Sequence, residues 1–146
     1  MEQDWADELR AQLAQRAELA GVDVRAPFLP GRQPFPLKRE TVTAGEGGRT
    51  ESPALGNSLA ADGLRLVEAE LAVDCYAPRQ LGGGACAKLF RRTCAALAQC
   101  GLAPSLRAVR CGRPEFDAQA GAFHLAGAVT AAFYTRQENA EEGGGA

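Results

Sequence analysis

Residues 64–97, "LRLVEAELAVDCYAPRQLGGGACAKLFRRTCAAL", decide the fold. The first half alternates. Val67, Ala69, Leu71, Val73 and Cys75 fall on one side of an extended chain, and Glu68, Glu70, Asp74 and Tyr76 on the other. Side chains of a strand point alternately to its two faces, so this pattern predicts a strand buried on one side and wet on the other, as in an antiparallel sheet. Tyr76-Ala77-Pro78 ends it. Beyond Gly82–Gly84 the period becomes helical. Cys86, Phe90, Cys94 (or Thr93), Leu97 and Cys100 make the inner stripe of a helix over residues 85–101, with Lys88, Arg91, Arg92 and Gln99 outside it.

Working outward, Trp5, Leu9, Leu13 and Ala17 recur every four residues after a capping Asp4, which predicts an amphipathic helix stopped at Gly21. A short strand is expected over 22–26. Pro27, Pro30, Pro34 and Pro36 then forbid a regular helix. Residues 37–43 read as a strand polar on both faces, suited to an edge or an interface. Residues 44–63 are rich in Gly, Ser and Ala without a clean period, and read as a mobile loop between strands. Downstream, 106–111 and 122–135 read as strands of a hairpin with a turn at 117–121, and Phe123, Leu125, Val129 and Phe133 share a face. The sum is an α+β fold. It is a two-layer sandwich with a mostly antiparallel sheet of four to five strands and two helices packed on one face, in a single domain over 1–136. The tail 137–146, "QENAEEGGGA", offers almost nothing apolar to bury and is expected to be disordered.

The totals exclude several classes. A net charge of −2 and 6% aromatic content argue against nucleic-acid binding, which relies on a basic field and stacking rings. No apolar run approaches the roughly 18 residues that spanning a membrane takes. The polar, acidic start "MEQDWADELR" is not a secretory signal, and five cysteines, an odd number, fit reduced thiols in a cytoplasm. None of them has C-x-x-C spacing and His124 is the one histidine, so no metal site is expected.

The stretch "LGGGACAKLF" invites comparison with a phosphate-cradling loop. Counting back from Lys88, Ala87 stands where a P-loop needs glycine, and Leu89 stands where a hydroxyl must hold magnesium. The dinucleotide fingerprint fails for want of a parallel βαβ context. A weak anion site at the bare helix start, using the Gly82–Lys88 turn, stays open as a small binding module. His124 lies opposite Phe123 and Leu125 with no base or nucleophile beside it in sequence. No catalytic, cofactor or metal residue is therefore expected. The charged residues point to contacts instead. Glu68, Glu70 and Asp74 form an acidic row, fourteen of sixteen basic residues are arginine, and arginine pairs bidentately with carboxylates. Lys88, Arg91 and Arg92 on the second helix, with Arg107, Arg110 and Arg113, are candidates to meet the acidic row of a neighbouring copy.

The element order, the segment "PFPLKRETVTAGEG", the junction "DCYAP…GG…LF" and the closing "LRAVRCGRPEFDAQAGAFHLAGAVTAAF" together resemble the tail-terminator and minor tail or capsid proteins of long-tailed bacteriophages and prophages, over about residues 4–135. The resemblance implies a non-enzymatic α+β subunit without cofactors. It forms a ring, commonly a hexamer, that caps the tail tube, joins it to the head and contacts other tail or neck proteins. Such a subunit is made in the bacterial cytoplasm and ends in the virion.

Overall fold

A computed structural model describes residues 5–28, 36–53, 64–101 and 105–136. The expectations placed on Asp4, on 54–63 and on the tail 137–146 lie outside them. Helix α1 (Trp5–Ala14) buries Ala6, Leu9 and Leu13. It closes earlier than its apolar stripe predicts. The N–H groups of Gln15 and Arg16 bond back three residues, to Gln12 and Leu13, and a 3-10 turn over Ala17–Leu19 follows. The tighter turn swings Leu19 into the core, and Gly21, at φ +80°, takes the left-handed step that returns the chain to the sheet.

Among the described residues six strands follow: β1 (Asp23–Arg25), β2 (Thr41–Pro53), β3 (Leu64–Pro78), β4 (Ser105–Cys111), β5 (Glu115–Asp117) and β6 (Ala122–Arg136). Helix α2 (Gly83–Ala98) stands between β3 and β4. The sheet order is β1-β2-β3-β6-β4, with β5 on β6, and every pairing is antiparallel except β1 with β2. Both helices pack on one face. This is the two-layer α+β sandwich read from the sequence, with six strands rather than four to five.

The alternation of β3 holds along its length: Val67, Ala69, Leu71, Val73, Cys75 and Ala77 are buried under the helices. On α2 the inner stripe takes Thr93 rather than Cys94, and the Thr93 hydroxyl donates to the Leu89 carbonyl at 2.8 Å, which removes the cost of burying it. Phe90 packs closely against β6 where position 127 is glycine. A Cβ there would stand 2.9 Å from the ring's Cζ and nearer still to Cε1.

Two expectations are corrected. Residues 44–53 are strand, not loop: β2 pairs with β3 from Thr41 to Pro53, with a bulge between Glu46 and Gly48. Gly45, Gly47 and Gly48 give this stretch a loop-like composition. At Gly45 the reason is close packing, since a Cβ would meet Pro27 Cγ at 2.6 Å. The strand expected over 37–43 starts only at Thr41. Leu37 is pinned by its N–H to the Ala120 carbonyl at 2.9 Å and fills a second small core with Tyr76, Ala120, Ala122 and Phe28. That core lies on the sheet face opposite the helices and closes one end of it.

Candidate functional site

The rest of the helix-free face carries the acidic row. Strand β6 separates β3 from β4, and its residues on this face are small: Ala126, Ala128, Thr130 and Ala132. Long side chains from the flanking strands therefore meet above it. Arg110 Nη2 reaches Glu70 Oε2 at 2.6 Å, and Arg107 Nη1 reaches Glu68 Oε2 at 3.4 Å. Arg107 is the extra residue of a bulge in β4, between Leu106 and Ala108. Ala132 lies almost wholly buried on this face. The two bridges are exposed, so each contributes about 0–1 kcal/mol. Their effect is to offset the charge of the two glutamates within the chain, Arg107 against Glu68 and Arg110 against Glu70.

Asp74 also has an internal partner. His124 Nε2 and Asp74 Oδ1 lie 2.8 Å apart. The imidazole stacks on the Tyr76 ring, centroids 4.5 Å apart and planes within 5°, and Phe28 meets Tyr76 edge-on at 5.5 Å. Burial, with Asp74 nearby, pushes the Tyr76 phenol up to about 12. A carboxylate–imidazole pair of this kind orients a base in many enzymes. Here the imidazole is held from two sides, by the Asp74 carboxylate and by the face of the Tyr76 ring.

The remaining candidates lie on the opposite side of the molecule. Lys88 and Arg91 are exposed on α2. Arg92 turns inward, donating to the Glu18 carbonyl at 2.9 Å and to Glu40 Oε1 at 3.2 Å, and so ties α2 to the turn after α1 and to the residue before β2. The acidic row and the α2 cations thus occupy opposite faces and form no common site. At the start of α2, Gly82 adopts φ +80° and offers no side-chain cap. Pro114 and Phe123 pack against Gly83 at 3.4–3.5 Å of where a Cβ would stand. The connector between β3 and α2 contains a 3-10 turn over Arg79–Leu81. A depression of about 320 Å³ lies where β4 leaves β6, lined by Arg110, Cys111, Gly112, Ala126, Gly127 and Ala128.

Three of the cysteines, Cys75, Cys86 and Cys100, are buried, Cys94 is half-buried and Cys111 is exposed. Cys86 Sγ donates to the Phe123 carbonyl at 3.1 Å, and burial raises the thiols of Cys75, Cys86, Cys94 and Cys100 above the ordinary value, away from nucleophilic thiolate. Among the described residues no group of three or more His, Cys, Asp or Glu side chains is placed to hold a metal ion, and no helix is long and apolar enough to cross a membrane. The chain matches no family model, and no curated protein matches it either.

Proposed function

We propose that the chain is a structural subunit of a phage or prophage tail or neck, of the tail-terminator kind, which associates with itself as a ring and joins other tail proteins in the virion. The observation that carries this reading is the sheet's two open edges. Among the described residues, β4 forms one edge and β1 the other, and a further strand can pair there, whereas β2 just beyond Thr43 is capped by Arg10, whose Nη1 donates to the Ala44 carbonyl at 2.6 Å. The α+β order and the strand-to-helix junction add the resemblance to that family. The charged face is already neutralised within the chain, which suits a surface presented to other proteins rather than a reaction centre.

Light scattering after size exclusion, across a concentration series, tests this. A closed oligomer, such as six copies of the 15.3 kDa chain, is the expected result. A monomer at every concentration counts against the ring and favours a binding module that uses the Gly82–Lys88 turn.

A further inference from the structure

The helix layer is narrower than the sheet. Helix α2 packs on β3 and β6, and α1 on β1 and β2. Strand β4 is left over. Val109 faces the helix side with its register partner Val129, yet it is 51% exposed where Val129 is buried. Cys111, on the same side, is exposed too. An apolar notch therefore runs between α2 and the edge strand. Arg91 stands exposed on the neighbouring helix, and no ion pair holds it among the described residues. At the other edge of the sheet, Val22 and Val24 are partly buried against the same core layer.

Strand sense limits what can fill the notch. β1 and β2 run one way, β3 the opposite way, β6 with β2, and β4 against it. A second copy set beyond β4 in the same orientation brings its β1–β2 edge up antiparallel to β4. Its α1, riding over its own first strands, then falls beside α2 and over Val109. That helix carries Asp7, whose side chain is 51% exposed and whose Oδ1 is already bonded to Arg10, so its second carboxylate oxygen is what it brings toward Arg91.

We propose that the notch floored by Val109 receives the β1–α1 edge of a second copy, head to tail. This rests on the self-association reading above and names its surface. A head-to-tail contact is heterologous and closes into a ring when its rotation divides the circle. The bulge at Arg107 and the three-residue length of β1 keep the two edges from pairing indiscriminately.

The test compares wild type with Val109→Glu, and with Tyr134→Glu as a control at an exposed residue on the helix-free face (59% exposed). Light scattering gives the mass across concentration and a thermal melt checks folding. Val109→Glu is expected to raise the concentration for half-association at least tenfold with an unchanged melt, while Tyr134→Glu associates like wild type. Val109→Glu associating as wild type does would overturn the notch and leave the ring reading standing. A wild type that never associates removes both. If Val109→Glu melts early, Arg91→Glu decides: association should weaken, and adding Asp7→Arg should restore it, whereas no change in either variant refutes the contact.

Discussion

Replacing Gly127 with alanine gives a sharp test of the core. The added methyl would stand 2.9 Å from Phe90 Cζ, with Cε1 closer, against a ring that is only 4% exposed. The ring cannot swing into solvent, because α2 holds it between Cys86 and Leu97 on the buried stripe. Overpacking of this kind costs about 1–3 kcal/mol. Alanine recovers about 0.5–1 kcal/mol over glycine within a strand. The close approach to Cε1 puts the cost toward the upper end, so the net expectation is a loss of about 1–2 kcal/mol, or roughly 3–7 °C in melting temperature for a chain of this size. Phe90→Leu alone leaves a void and should destabilise as well. The double variant is the decisive one, because the smaller leucine makes room for the methyl. Urea unfolding of all four proteins should give a coupling energy of about 1 kcal/mol or more, with the double variant more stable than the sum of the singles predicts. Additive losses, or a Gly127→Ala protein as stable as wild type, would show that the ring does not rest on that backbone.

Other expectations follow from the same packing. With a thiol reagent on the native protein, Cys111 should react at once and Cys94 slowly, while Cys75, Cys86 and Cys100 should react only on unfolding; fast modification of three or more thiols contradicts the burial. Stability should fall at alkaline pH. The folded-state values of Cys75 and Tyr76 are raised, so the unfolded chain loses protons first, from about pH 9 for the thiol and between about 10 and 12 for the phenol; pH-dependent denaturation that stays flat from 8 to 11 would contradict this. Arg110→Ala should cost less than about 1 kcal/mol, because its bridge to Glu70 is exposed. Arg92→Ala should cost more, about 1–2 kcal/mol in chemical denaturation, since it removes two bonds that tie α2 to other elements.

Much of the fold could be read from local pattern, because β3 and α2 obey the two periods that packing on one face imposes. What escaped had non-local causes. Gly45, Gly47 and Gly48 look like a loop by composition, and only pairing with β3 makes them strand. Helix α1 stops at Ala14 because Leu19 must turn inward, which the stripe through Ala17 does not reveal. The acidic row was legible as a face of β3. Its partners were not, because Arg110 and His124 lie 40 and 50 residues from Glu70 and Asp74, and reach them only through the register of β6 between β3 and β4. Small residues at 126, 128, 130 and 132 were the available sign that something arches over that strand.

The position of β6 also sets the order in which the molecule can be made. The strand that joins β3 to β4 at the middle of the sheet comes after both of them in the chain. Its pairing with β3 runs the full length of both strands, from Leu64 with Arg136 to Pro78 with Ala122. These contacts link residues far apart in sequence, the kind that slows folding. Until β6 leaves the ribosome, the β2–β3 hairpin offers an unpaired inner edge and β4 has no neighbour. A nascent or truncated chain that lacks β6 therefore exposes long strand edges and unshielded core residues such as Leu71 and Val73, which makes premature termination an aggregation hazard and ties correct assembly to completion of β6.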